Sequence, residues 1–312
     1  MKLGFLYAGQ GSQHPGMGAD LYADPVFRAA FDRAAERVDF DLKEVCFTDQ
    51  QGVLNQTRYT QPCMVAFAVA MTALLKHRGI VPAAAAGLSL GEYSALHAAG
   101  VLDAETVTEL VAFRGKAMEQ AAADKPSSMM AVLGLDRKPL QEACSAASAL
   151  GCVVIANYNC PGQLVIGGEQ AAVAQAAALA KEAGARRCMP LKVSGPFHTP
   201  LMAPAGAALE ERFRTVTFAQ PQIPVVFNCL GDVKPEDTTV PELLVRQVQS
   251  SVYMEDSIRY LADMGLDALV EIGPGKVLSG FVKKTVPELP VYAVETAADV
   301  EQLAELLKGE TA

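Results

Sequence analysis

Tryptophan is absent from the chain, histidine occurs only four times, and no two cysteines stand in a C-x-x-C spacing. The seven cysteines are dispersed, an odd set that argues against a disulfide framework and a zinc site and fits small buried thiols. Basic residues are outnumbered. The net charge is -9 with no basic run, which disfavours a nucleic-acid role, since phosphate binding needs a basic face. Long hydrophobic runs are missing as well: the longest, Cys63–Leu75, has thirteen residues, against the ~20 of a membrane span. The first residues lack the basic segment and apolar core of a secretory signal. These absences point to a cytoplasmic protein that contacts neither nucleic acid nor membrane. What remains, 51% hydrophobic and 20% charged over 312 residues, is enough to bury one large core or two modest ones.

Strand-like and helix-like segments alternate. Leu3–Ala8 reads as a buried strand ending in the glycine-rich loop GQGSQ, and a long apolar helix begins near Thr60. Ala83–Gly87 reads as a second strand, followed by a sharp turn at Ser89 and a helix to about Ala99. Another helix spans Asp103–Ala122. The polar, proline-containing stretch Ala123–Ser128 reads as a linker. Beyond it come strand 129–135, helix 137–149, strand 152–157, the turn NCPG, strand 163–167, helix 170–183 and strand 186–190. That is the β-α-β-β-α-β order of a ferredoxin-like subdomain. Strands at 224–227, 268–272 and 290–294 then resume the first pattern. The expected fold is α/β, with a mostly parallel sheet in a large subdomain (1–124 and 193–312) and a ferredoxin-like subdomain inserted at 125–192.

The stretch GLSLGEY (Gly87–Tyr93) has the G-x-S-x-G pattern of a nucleophile elbow, in the strand–turn–helix context such an elbow requires. A serine nucleophile needs a base. His97 lies eight residues along the same helix, about 12 Å away at 1.5 Å per residue and out of reach. His77 sits at a charged helix end, and His14 follows the glycine-rich loop with nothing to fix it. His198, in VSGPFHTPLM, follows a strand and a Gly-Pro turn, where open α/β sheets place their chemistry. It is the candidate base. No acid of a hydrolase triad stands out between Ser89 and His198, so a Ser-His dyad with a neutral orienting group is expected. Glu92, in the first turn after Ser89, is expected to serve the helix dipole. Arg114 has Leu110, Val111, Ala117 and Met118 as helical neighbours, an apolar face on which an arginine needs a partner. It is a snorkelling arginine, an internal salt bridge, or a fork for a substrate carboxylate. The GQGSQ loop is a weak dinucleotide motif but could bring a backbone N–H to an oxyanion.

With these residues assembled, the chain resembles the malonyl-CoA:acyl-carrier-protein transacylases of type II fatty-acid synthesis, and the related acyltransferase domains of polyketide synthases. The resemblance is carried by GQGSQ (Gly9–Gln13), YTQP (Tyr59–Pro62), GLSLGEYSAL (Gly87–Leu96), FRG (Phe113–Gly115), NCPGQLVIGG (Asn159–Gly168), GPFHTPLM (Gly195–Met202), RQV (Arg246–Val248) and GPGKVLSG (Gly273–Gly280). It implies an α/β-hydrolase-like core with the ferredoxin-like insertion. It implies Ser89 as nucleophile, His198 as base and then acid, and Arg114 as holder of the malonyl carboxylate. The backbone N–H groups of Gln10 and Leu90 would form the oxyanion hole, and Gln247 would position His198 through its backbone or side chain. Phe197 would favour malonyl over branched units, with Gln61 and Asn159 near the substrate. No cofactor or metal is implied, since malonyl-CoA is a substrate and the phosphopantetheine belongs to the carrier protein. The chain departs from the family's common form at Ala8 (proline), Leu88 (histidine), Cys160 (serine) and in VQSSV after Gln247, which leaves the support of Gln247 in question.

Acyl carrier proteins are acidic, so a carrier would need a local basic patch on this acidic chain. Lys181, Arg186, Arg187 and Lys192, or Lys283 and Lys284, are the candidates, with ordinary surface charge as the alternative. A monomer is expected. The competing readings are an acyltransferase of a polyketide pathway, a thioesterase using the same elbow, and a silent acyl-binding protein.

Overall fold

In the computed structural model residues 1–123 and 126–309 are described. Asp124 and Lys125 of the expected linker, and with them the 124/125 boundary, lie outside the described residues, as do residues 310–312. The chain forms two compact units: Met1–Gly115 with Thr217–Val226 and Tyr260–Ala312, and Lys116–Val216 with Phe227–Arg259. The second unit is therefore wider than 125–192. It begins at Lys116 and also takes in 193–216 and 227–259, all segments that the expected division assigns to the larger subdomain.

The first unit is built on a parallel four-stranded sheet in the spatial order Val291–Val294, Ala268–Ile272, Leu3–Tyr7, Pro82–Gly87. Its two central strands, LGFLY and ALVEI, are buried at every position. Such continuous burial, without an alternating polar face, is what a parallel sheet covered by helices on both sides demands. A parallel bridge from Ala85 to Val225 continues the sheet beyond Pro82–Gly87. The first strand thus has its chain successor on one side and the late strands on the other, so the order of connection reverses there. In open α/β sheets, loops at the carboxyl ends of such strands carry the chemistry. Here those loops are GQGSQ, after Leu3–Tyr7, and the turn at Ser89, after Pro82–Gly87.

The second unit carries a sheet in the order Arg187–Pro190, Ser127–Leu133, Gln163–Glu169, Val153–Cys160, with Val252–Tyr253 added in parallel at the edge. The first four pair antiparallel and connect through helices Arg137–Ala147 and Gln170–Glu182. This is the ferredoxin-like arrangement expected from the strand order. One face packs a continuous apolar layer including Leu140, Val153, Ile155, Leu164, Ile166 and Val173. The NCPG turn is tighter than the sequence suggests: the strand runs through Asn159 to Cys160 and leaves only Pro161 and Gly162 to turn. The fifth strand is joined by Tyr158 and Tyr253, stacked with ring centroids 4.9 Å apart.

Candidate active site

Ser89 occupies a turn that only a particular set of neighbours permits. Its φ is +53°, in the left-handed region that side chains other than glycine rarely adopt. The strand leading into it ends at Gly87, where an added Cβ would lie 2.1 Å from the carbonyl of Gly91. A Cβ on Gly91 would lie 2.2 Å from the Tyr7 carbonyl oxygen. Both glycines of G-x-S-x-G are therefore required by close backbone approach, one to the turn itself and one to the neighbouring strand. Gly91→Ala is expected to cost about 3 kcal/mol through overpacking, read as a lower urea midpoint. Gly280→Ala, whose Cβ meets nothing within 4 Å, is the control and should leave the midpoint nearly unchanged.

The helix Gly91–Ala98 starts directly behind the serine, with Leu90 as its wholly buried N-cap. Its first N–H groups bond back into the turn, Gly91 N to Leu88 O at 2.9 Å, Glu92 N to Ser89 O at 3.1 Å and Tyr93 N to Leu90 O at 3.1 Å, and its positive dipole end faces the region of Ser89. Leu88 lies against the GQGSQ loop: a Cβ on Gly9 would meet the Leu88 carbonyl oxygen at 2.6 Å and its side chain at 3.1 Å. Leu88 N–H also donates to Tyr7 O at 3.0 Å. The residue that looks anomalous in the sequence is thus an apolar spacer between the elbow and the loop bearing Gln10. The Gln10 side chain donates from Nε2 to Thr57 Oγ1 at 3.0 Å, tying the loop to the start of helix Thr57–His77. At Ala8 the backbone N–H donates to Ile272 O at 3.0 Å, a bond that a proline there would lack.

Arg114 is 1% exposed and reaches the elbow directly. Its Nη2 donates to Ser89 Oγ at 3.2 Å and its Nη1 to Gln61 Oε1 at 2.9 Å, with the guanidinium 5.5 Å from the centroid of the Tyr93 ring. Gly115 makes this approach possible, because a Cβ there would lie 2.9 Å from Arg58 Cα and Thr57 O. The arginine helix Ala104–Ala122 can therefore press against the first turn of helix Thr57–His77, which carries Gln61. Burial pulls the guanidinium below the usual arginine range, and Tyr93 and Glu92 pull it back up. Glu92 does stand in the first helical turn, but it is 0% exposed.

His198 is held in the second unit. It too has a positive φ, +61°, and with Ser89 and Asp49 it completes the set of non-glycine residues so placed among the described residues. The preceding loop is compressed: a Cβ on Gly195 would lie 2.5 Å from Ala122 Cβ. Thr199 Oγ1 donates back to Pro196 O at 2.6 Å. His198 Nδ1 lies 2.9 Å from the backbone carbonyl of Gln247. A carbonyl only accepts, so Nδ1 carries the proton and Nε2 is left with its lone pair, the tautomer a general base requires. Gln247 can supply that oxygen because it stands in the last turn of helix Val240–Gln249, where carbonyls have no partner within the helix. The serines of VQSSV fasten this end. Ser250 Oγ donates to Arg246 O and Ser251 Oγ to Ile155 O, each at 2.7 Å. These bonds tie down the end of the helix whose Gln247 carbonyl meets His198.

Phe197 is 7% and Asn159 8% exposed, both in the second unit with His198. Of the other histidines, His14 is exposed and contacts Glu295 and Pro15 O, and His77 is exposed at its helix end. His97 is half-buried with Nδ1 3.0 Å from Leu102 O, and desolvation lowers its pKa. Lys181, Arg186, Arg187, Lys192, Lys283 and Lys284 are all exposed.

The acyl transferase domain profile matches residues 4–311. The chain is 40% identical to the malonyl CoA-acyl carrier protein transacylase of Bacillus subtilis over 311 residues, covering 99% of this chain and 98% of that one. Among solved structures it is similar to the MCAT of Streptococcus pneumoniae, with a TM-score of 0.93 and 46% identity over 98% of this chain and 100% of that one. It is also similar to a malonyl-transacylase solved in complex with its type II PKS acyl-carrier protein, with a TM-score of 0.93 and 38% identity over 98% of this chain and 100% of that one.

Proposed function

The chain belongs to the acyl transferase domain family, and on that premise we propose that it moves the malonyl group of malonyl-CoA to the phosphopantetheine thiol of acyl carrier protein, supplying fatty-acid synthesis. The observation that carries this reading is the buried Arg114 guanidinium bonded to the elbow serine at 3.2 Å. A cation fixed beside a nucleophile selects an acyl group that bears its own carboxylate. It would also orient the thioester carbonyl, at the other end of the malonyl unit, over Ser89 Oγ.

The transfer proceeds in two halves. His198 Nε2 takes the Ser89 hydroxyl proton as Oγ attacks the thioester carbonyl. The carbon–sulfur bond breaks, and the proton on Nε2 passes to the departing CoA sulfur. The carrier thiol then gives its proton to Nε2, its sulfur attacks the malonyl ester, and Ser89 Oγ recovers the proton as it leaves. The N–H groups of Gln10 and Leu90 stabilise the oxyanion in both halves. The Gln247 carbonyl takes the place of a triad acid, Gln61 holds the second arm of Arg114, and Phe197 and Asn159 line the acyl group. The same proposal has the enzyme working without a cofactor, as a cytoplasmic monomer.

Two measurements test it. CoA release from malonyl-CoA should be stoichiometric with enzyme alone and catalytic once carrier protein is added. Catalytic release without carrier indicates a thioesterase instead. For the carrier, the exposed Arg186, Arg187, Lys181 and Lys192 form the proposed landing patch. Reversing Arg186 and Arg187 to glutamate is expected to raise the KM for carrier about tenfold, some 1.4 kcal/mol, with acylation by malonyl-CoA unaffected. An unchanged KM moves the patch to Lys283 and Lys284.

A further inference from the structure

His14, which the sequence leaves unfixed beside the glycine-rich loop, is tied to a residue 281 positions away. Its Nδ1 lies 3.0 Å from Pro15 O and its Nε2 2.5 Å from Glu295 Oε1. A carbonyl and a carboxylate accept, so each ring nitrogen carries a proton and the ring is a cation facing an anion. The Pro15 carbonyl and then the Glu295 carboxylate raise its pKa above the ordinary histidine value. The other oxygen of Glu295, Oε2, accepts from Gly275 N at 2.9 Å. One carboxylate therefore joins three loops. They leave the carboxyl ends of Leu3–Tyr7, Ala268–Ile272 and Val291–Val294, neighbouring strands of the parallel sheet in the first unit.

The first of these loops carries Gln10, and it depends on such ties. Gly11 and Gly16 have φ of +109° and +96°, and an added Cβ at either would meet nothing within 4 Å. Hydrogen bonds, more than packing at these glycines, give the loop its shape. Ser12 Oγ donates to Gly9 O at 3.0 Å and Gly11 N to Gln13 Oε1 at 2.7 Å, folding the loop upon itself. The side chains of Gln10 and Gln13 reach Thr57 and Asn55, and His14 reaches Glu295. The loop after Ala268–Ile272 also touches the residues before Gln10: a Cβ on Gly273 would lie 2.4 Å from Ala8 Cβ. We propose that His14 and Glu295 are positioning residues for the oxyanion hole, their bridge setting where the Gln10 N–H stands relative to Ser89. An oxyanion donor acts only at hydrogen-bond distance from the developing charge. A bridge of small worth to stability can therefore be of larger worth to rate. The inference rests on the reading of Gln10 as an oxyanion donor.

The test uses the full chain with His14→Ala, His14→Gln, Glu295→Gln and the His14→Ala/Glu295→Gln double variant. Each is followed by its thermal midpoint, and by the rate of Ser89 acylation at saturation and the half-saturating concentration, with malonyl-CoA and with acetyl-CoA. His14→Ala and Glu295→Gln are each expected to slow acylation about tenfold, part of the ~10²–10³-fold that loss of a whole oxyanion donor costs. The half-saturating concentration should hold, because the oxyanion exists only in the transition state. Malonyl and acetyl loading should fall by the same factor, since both thioesters form the same oxyanion. His14→Gln, whose Nε2 can still donate to Glu295, should recover part of the rate. The double variant should be about as slow as the slower single one, since the two residues act as one bridge. With the His14 side chain 50% exposed, every midpoint should move by less than about 2 °C. Acylation at the parent rate in both single variants overturns the proposal. So does a loss confined to malonyl-CoA, one seen only as a higher half-saturating concentration, or a His14→Gln protein no faster than His14→Ala. A double variant slowed by the product of the single effects, or a midpoint lowered far beyond the expected range, overturns it as well. If Gln10→Pro, which lacks the backbone N–H, acylates at the parent rate, the reading of Gln10 fails first, whatever the His14 variants show.

Discussion

Ser89→Ala is expected to abolish loading from malonyl-CoA and to reduce transfer to carrier protein by ~10⁴-fold or more, the scale of removing a covalent nucleophile. The change is selective because alanine keeps the Cβ and loses only Oγ. The strained φ of +53° and the close approaches at Gly87 and Gly91 are unaltered. Arg114 keeps its bond to Gln61 when the one to Ser89 is lost. The variant should therefore fold, with a thermal midpoint near that of the parent, while mass spectrometry finds no acyl adduct. A folded Ser89→Ala protein that still transferred malonyl at an appreciable rate would place the nucleophile elsewhere.

The second large effect is on selectivity. Arg114→Ala is expected to lower malonyl loading by ~10²–10³-fold and acetyl loading far less. The lost interaction is a pair of charge-assisted hydrogen bonds formed away from water, each worth about 1.5–3 kcal/mol. Arg114→Lys should recover only part of the preference, because a single ammonium cannot bond Gln61 and a carboxylate in the same fork. The measurement is competition between malonyl-CoA and acetyl-CoA for Ser89, read as the ratio of the two adducts at early times. A preserved ratio in Arg114→Ala would separate the arginine from substrate choice and leave it a structural role.

Much of this was legible in the sequence where a local pattern forces a local geometry. Gly87, Ser89 and Gly91, between an alanine-rich strand and a helix, announce the elbow, because no other residue fits the two close approaches. The β-α-β-β-α-β order announces the second sheet. His198 could be reached by eliminating three other histidines. Contacts between residues distant in sequence were less accessible. Gln61 and Arg114 are 53 positions apart, and nothing in either segment states that one arm of the arginine is held by Gln61. The resemblance offered the backbone or the side chain of Gln247. The contact seen is to a carbonyl in the last helical turn, and which carbonyl stands there depends on where the helix stops. The first-turn position of Glu92 was legible, whereas its full burial comes from packing by distant segments. The reach of the second unit to residues 227–259 escaped strand order because Val252–Tyr253 joins its sheet from far along the chain.

The central claim is a malonyl group carried on Ser89 and handed to a carrier thiol. Its most direct test is intact-protein mass spectrometry of the enzyme mixed with malonyl-CoA, followed by peptide mapping and then by addition of carrier protein. The account predicts one malonyl group per chain, located on the peptide containing Ser89, and its loss from the enzyme as it appears on the carrier's phosphopantetheine. Malonyl-carrier forming while no adduct passes through Ser89, or an adduct that carrier protein does not remove, would contradict it.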